Sequence, residues 1–163
     1  PLYSSAASDV YKRQAMVRMH AGRSDGEVLA EERFGWFAAP HWQHRTGAPL
    51  PLATLAEPCG VRAMAGKLLD AAAIPWREVF VGGGVAAVSA AVVAGLGVAA
   101  LAPRMLPWGA VDVGARLGLP ALPSLPVVLH SRAPDGRPSD AIAALSAAFR
   151  SACLLYTSPS PRD

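Results

Sequence analysis

The chain has 163 residues, 15 Lys and Arg against 12 Asp and Glu, a formal net charge of +3 and 52% hydrophobic residues. That length suits one domain of ordinary size or a piece of a larger one. The arginines are scattered rather than gathered on one stripe, which excludes a nucleic-acid footprint, and two cysteines build no disulfide framework.

Both ends read as foreign to the fold. Residues 4–14, SSAASDVYKRQ, and 153–163, CLLYTSPSPRD, match translations of the two ends of a sequencing-library adapter. The codons implied for residues 9–14 and 153–158 are largely reverse complements of one another. Residues 1–14 and 153–163 are therefore expected to be adapter-derived and non-native, and the fold is sought in 15–152. There the charge falls from +3 to +2, since Lys12, Arg13 and Arg162 leave together with Asp9 and Asp163. Cys59 is the cysteine that stays, which fits a reducing compartment.

Residues 15–19, AMVRM, read as the end of a strand, and 22–26 as a polar turn. Residues 27–32 lead into 33–39, RFGWFAA, an aromatic strand with Phe34, Trp36 and Ala38 on one face. Residues 40–51 form a long loop carrying His41, Trp42 and His44. Zinc needs three or four converging ligands, and no Cys, Asp or Glu is suitably spaced nearby, so solvated loop histidines are expected. Residues 52–57 suggest a short helix. From 61 to 73, VRAMAGKLLDAAA, apolar positions 61, 64, 65, 68, 69 and 72 recur at helical spacing. Ile74, Pro75 and Trp76 break that helix, and 77–81 form the next strand. Cys59 at the helix start has two readings: a thiol activated by the helix dipole, or a small buried residue.

The uncharged run 79–103, VFVGGGVAAVSAAVVAGLGVAALAP, is long enough to span a bilayer. Its Ala, Gly and Val composition and its glycine punctuation argue against a span. The pattern parses as strand 78–81, helix 85–94, a turn over 95–97, strand 98–102 and a stop at Pro103. Gly82, Gly84 and Ala87 also fit the G-x-G-x-x-A dinucleotide fingerprint between a strand and a helix. The acidic residue needed about 20 positions on to hold a ribose is missing, so this match is weak. Ser89 lies in the helix without a nucleophile elbow and reads as packing.

Residues 105–123 are rich in Pro and Gly with little periodicity. Residues 125–132, LPVVLHSR, form a strand around Val127, Val128 and Leu129. Residues 134–138 turn, Ser139 caps, and 140–152 make a last helix with Ile142, Leu145, Ala148 and Phe149 on one face. His130 reads as a satisfied strand histidine. No residue set supports catalysis or a metal.

The order RFGWFAAPHW, PLPLATLAEPCGVRAMAGKLLDAAAIPWREVF, AAVVAGLGVAALAPR and PSLPVVLHSR with a closing helix resembles the C-terminal effector-binding domain of LysR-type transcriptional regulators. The resemblance covers essentially all of 15–152, and 92–103 is its most telling piece. It implies an α/β, periplasmic-binding-protein-like (type 2) two-lobe domain, incomplete, with the second lobe largely present. In that scheme 15–39 are a remnant of the first lobe with the first crossover strand. Residues 40–125 are the second lobe, and 126–152 the second crossover strand and closing helix. The family's winged helix-turn-helix is missing, so DNA is reached only through an N-terminal domain outside this fragment.

The resemblance further implies a cytoplasmic regulator, a homo-oligomer (dimer or tetramer) when intact, with no membrane contact, no cofactor and no enzymatic activity. It senses a small, anionic metabolite held between lobes. Two helix N-termini would face that ligand, at Cys59, Gly60, Val61 and Arg62 and at Gly83, Gly84 and Val85. Arg18 and Arg62 would add charge-assisted hydrogen bonds, unless they are surface charges. A free-standing solute-binding protein is the alternative, and a flavin or nicotinamide enzyme using GGGVAA as a phosphate loop the second.

Overall fold

The computed structural model describes residues 15–19, 26–105, 108–131 and 140–157. They divide into two compact units, one holding the described residues of Pro1–Glu32 and Leu125–Asp163, the other being Arg33–Ser124.

The second unit is built on strand β4 (Leu50–Leu55), LPLATL. Sequence patterning suggests a short helix over 52–57; the structure corrects this to a strand. Leu50, Leu52, Ala53 and Thr54 are all buried, because both faces of the strand are covered and an amphipathic alternation has no face to write itself on. β4 pairs in parallel with β5 (Trp76–Gly82). On its other side Leu52 bridges Val98 in parallel, through Ala53 N–H to Val98 O and Val98 N–H to Pro51 O, both 2.9 Å. Val98 runs into β6 (Ala99–Leu101), which pairs antiparallel with β3 (Gly35–Ala38), and β3 pairs with β7 (Val111–Asp112).

Helix α1 (Gly60–Ala71) connects β4 to β5, and α2 (Val85–Val93) connects β5 to β6. The first connection steps to one side of β4 and the second crosses to the other, so right-handed crossovers place the helices on opposite faces of the sheet. The core divides accordingly. Ala65 and Leu69 of α1 pack with Trp36, Ala38, Leu50, Leu52, Val98 and Val113. Val88, Ala91 and Val92 of α2 pack with Phe37, Ala53, Ala99 and Leu101. Trp36, Phe37 and Ala38 are thus buried in succession, where sequence patterning expects one apolar face and a continuous strand over 33–39.

The run 79–103 follows its expected parse and is no membrane rod. After α2, Gly95 takes φ +76°, with Gly95 N–H bonded to Val92 O and Leu96 N–H to Ala91 O, both 3.0 Å, a Schellman stop. Gly97 lies so close to β4 that a Cβ there would sit 2.4 Å from Pro51 O. Ser89 Oγ donates to Met105 O at 3.3 Å, a packing role. Helix α1 ends in the same bond pattern as α2, but with Ala73 at φ +52°. The stretch after Pro103, irregular in the sequence, holds β7 and a short α3 (Gly114–Leu117), whose start is fixed by Asp112 Oδ1 accepting Gly114 N–H at 2.7 Å. Among the described residues no helix is long and apolar enough to cross a membrane.

In the first unit β8 (Leu125–Ser131) lies between β1 (Ala15–Met19) and β2 (Glu27–Glu32), antiparallel to both. Helix α4 (Asp140–Thr157) packs Ile142, with Phe149 beside it, on Leu29, Val127 and Leu129. Leu145 and Ala148, expected on that apolar face, are exposed, and Ser146 is buried instead. Arg150 Nη2 donates to Glu27 Oε1, which ties the helix to β2. The helix continues past the expected end at residue 152. Of the turn expected over 22–26 only Gly26 is among the described residues, and the turn expected over 134–138 and the Ser139 cap lie outside them.

Gly97→Ala forces β4 and β6 apart and costs about 2 kcal/mol or more in urea melts, whereas Gly83→Ala, with open space around it, stays within about 0.5 kcal/mol. Ala73→Gly relieves the left-handed residue and raises stability by about 0.5–1 kcal/mol in the same assay.

Candidate functional site

β4 and β5 end side by side, Leu55 opposite Gly82. From there the chain leaves β4 into α1 on one face and β5 into α2 on the other. In open α/β sheets, ligand crevices open at such points, outside the carboxyl ends of the strands. A pocket lies here, lined by Trp36, Leu52, Thr54, Leu55, Cys59, Val61 and Arg62, with Val88 and Leu101. It encloses about 20 Å³, room for about one water. Its wall is apolar except at Thr54, Cys59 and Arg62.

Cys59 is the N-cap of α1. Its backbone is extended, and its Sγ accepts Arg62 N–H at 3.4 Å. Its own N–H donates to Glu57 Oε2 at 3.0 Å. The thiol is free. Gly60 opens the helix, exposed, and Val61 is buried against the pocket.

Arg62 is not a free cation waiting for a ligand. Nε donates to Glu78 Oε1 at 2.5 Å and Nη2 to Glu78 Oε2 at 2.9 Å, a bidentate pair. Nη1 donates to Glu57 Oε1. Glu78 in turn accepts Thr54 Oγ1 at 2.7 Å. These bonds, Arg62's first and then Thr54's, hold the Glu78 carboxyl down to about 2 from 4.5 against the opposing effect of partial burial. The Glu78 bonds likewise push the Arg62 guanidinium further up. Sequence reasoning finds Cys59 and Arg62 from their place at a helix start. It misses Glu57, Thr54 and Glu78, because none stands at helical spacing from Arg62. Glu78 reaches it only through the β4–β5 pairing, where it sits opposite Leu52 just before a bulge.

The second helix start stands at the end of the neighbouring strand, and its residues do not line the pocket. Gly84 is the N-cap of α2, with φ −164° and no side-chain cap. Gly83 and Gly84 are exposed, and a Cβ on either meets nothing within 4 Å. Gly82 is the crowded one: a Cβ there would lie 3.0 Å from the Phe80 ring and 3.1 Å from Val88. Val85 is half-buried, and Val88, one turn on, is the α2 residue that reaches the pocket. Arg18 is on β1 opposite Val128; its side chain falls outside the described residues. His44 stacks on Trp42 with ring centroids 6.1 Å apart. Among the described residues no three His, Cys, Asp or Glu side chains gather to hold a metal.

The Glu78 pairing sets a pH dependence. A carboxyl whose folded-state value is depressed makes the unfolded chain the stronger proton binder, so its stabilisation is complete above about 4.5 and is lost as pH falls toward 2. Glu78→Gln is expected to be less stable than the parent at pH 7. Its stability should change less than the parent's between these values, as measured by urea unfolding at a series of pH values.

No protein-family model matches the chain. Over 88 residues it is 38% identical to the HTH-type transcriptional regulator PecT of Dickeya dadantii (strain 3937), a stretch that makes up 54% of this chain and 28% of that protein. Among solved structures it is similar to the regulatory domain of CcmR from Synechocystis PCC6803, in complex with 2-PG. That match has a TM-score of 0.64 at 8% identity and covers 91% of this chain and 77% of the other. The bromide ion-bound regulatory domain of HypT from Salmonella typhimurium matches with a TM-score of 0.60 at 13% identity, over 93% and 79%. A putative LysR family transcriptional regulator from Pseudomonas aeruginosa matches with a TM-score of 0.60 at 12% identity, over 91% and 56%. The chain therefore has the α/β, periplasmic-binding-protein-like fold of LysR-type regulatory domains, as its sequence resemblance implies.

Proposed function

We propose that this chain is the effector-sensing part of a LysR-type transcriptional regulator. The observation that carries the proposal is the likeness to such regulatory domains over more than nine-tenths of the chain, joined by the segment shared with a transcriptional regulator. In this reading 40–125 make the second lobe, with 15–39 and 126–152 supplying the first-lobe remnant, the crossover strands and the closing helix. DNA is contacted by a segment outside this chain, in a cytoplasmic homo-oligomer that catalyses no reaction.

The effector is a small anion. In this reading Cys59, Gly60, Val61 and Arg62 bind it, with Gly83, Gly84 and Val85 at the neighbouring helix start. Support comes from the pocket's place at the carboxyl ends of β4 and β5, where helix N-termini favour negative charge. The 2-PG-bound CcmR domain and the bromide-bound HypT domain are consistent with it. A ligand that binds one arrangement of the regulator better than another shifts the balance between them by its difference in affinity.

A thermal-shift screen of small carboxylates, with a nicotinamide dinucleotide included, tests the proposal. A true effector at about 100 times its Kd stabilises the chain by about 2.7 kcal/mol. Arg62→Met should abolish that shift, and the dinucleotide should give none. A shift given by the dinucleotide alone would favour the enzyme reading, and a carboxylate shift that survives Arg62→Met would place the site elsewhere.

A further inference from the structure

We propose that residues 119–124 form a strap latched on the Trp36 indole, and that the pocket at the ends of β4 and β5 widens when the latch opens. The device goes beyond the effector-sensing reading and needs no ligand to operate. After α3, Gly118 takes φ +63° and turns the chain into LPALPS, which runs without helix or strand to β8. Leu119 N–H donates to Gly114 O at 2.9 Å. Beyond it the backbone is sparsely held. Pro120 and Pro123 carry no N–H, and among the described residues the N–H groups of Ala121 and Leu122 have no protein partner. What holds 120–123 is Trp36 Nε1, which donates to Pro120 O at 2.8 Å, with Leu119 and Leu122 half-buried against the core cluster that contains Trp36.

Trp36 is buried on β3, and the side chain that holds the strap is also part of the pocket wall. Its Cδ1 edge is crowded as well: a Cβ on Gly114, where α3 begins, would lie 3.2 Å from that atom. The strap and the start of α3 therefore set how the ring stands against the pocket, which holds about 20 Å³. An indole N–H that loses its acceptor inside the protein costs more than the bond itself contributes. When Pro120 O leaves, the ring turns toward water or another acceptor, and the turn enlarges the space beside Thr54, Cys59 and Val61. Segments held by few bonds and little packing open below the cost of global unfolding, and 119–124 is such a segment.

The test is hydrogen exchange by NMR on the full 163-residue chain, together with N-ethylmaleimide labelling of Cys59 read peptide by peptide in a mass spectrometer. The Trp36 indole N–H reports the latch, and the amide of Leu69, fully buried in α1, reports global unfolding. In the parent, with no variant needed, the indole is expected to be at least about tenfold less protected than the Leu69 amide. Leu122→Ala trims the packing of the strap and leaves the latch atoms in place. It should raise indole exchange and Cys59 labelling together, each about fivefold or more, and Leu69 exchange by less. Equal protection of the indole and the Leu69 amide in the parent, or an equal rise of both in Leu122→Ala, overturns the strap, which then opens only with the whole unit. Faster indole exchange with unchanged Cys59 labelling overturns the link to the pocket.

Discussion

Strand β4 is held on both edges and covered on both faces, and the second unit follows from that seating. Its parallel partners, β5 on one side and Val98 on the other, leave the connections no choice but to run back over the sheet. One connection steps outward and the other returns across β4, so α1 and α2 fall on opposite faces and each closes its own core cluster. The approach of Gly97 to Pro51 is the local condition for this arrangement, because the strand after α2 reaches β4 only where no Cβ intervenes. The two helix starts then emerge together at the carboxyl ends of β4 and β5. The pocket is a consequence of strand order.

How much of this was legible in the sequence depended on whether a local signal carried it. The run 79–103 is legible nearly residue by residue, since its glycines mark the boundaries and Gly95 in the left-handed region supplies the stop that a Schellman motif needs. The α1 pattern was equally plain, with Val61, Ala65 and Leu69 buried at their spacing. Residues 52–57 suggest a helix because a strand buried on both faces loses its period-2 signature, and its leucines then mimic a helical turn. The aromatic strand failed for the same reason: Trp36 and Phe37 each enter a different core cluster, so no single face exists. The two-residue β7 and the short α3 lie in a stretch with no periodicity. Their structure comes from one aspartate bond and from the edge offered by β3.

At the pocket, the residues with a positional signal line the wall, while their partners carry no such signal. A helix start can be recognised along the chain, and Cys59 and Arg62 stand at one. What neutralises Arg62 is set by strand register: Glu78 is brought over α1 because Leu52 pairs with it, and the extra residue Val79 then turns Phe80 to the other face. Thr54 is drawn into the network by the same pairing. The triple glycine, a weak match to a phosphate loop in the sequence, has a packing explanation. Its fingerprint invites a phosphate, yet Gly82 is required by contact with Phe80 and Val88, while nothing crowds Gly83 or Gly84. A glycine motif states that backbone is close to something; here the something is a helix.

Arg62 joins three segments that would otherwise be tied only through the sheet: the connection before α1, α1 itself, and β5. A bidentate bond to a half-buried carboxylate restricts the guanidinium plane, so Arg62 cannot serve an incoming anion by swinging wholly away without breaking the link between helix and strand. The arm that can be spared is Nη1, because its acceptor stands on an exposed connection rather than on a paired strand. A group that takes Nη1 therefore changes the chain before α1 and leaves the helix-to-strand tie in place. The pair with Glu78 fixes where the guanidinium lies, and the contact with Glu57 is the one that can change without disturbing the core.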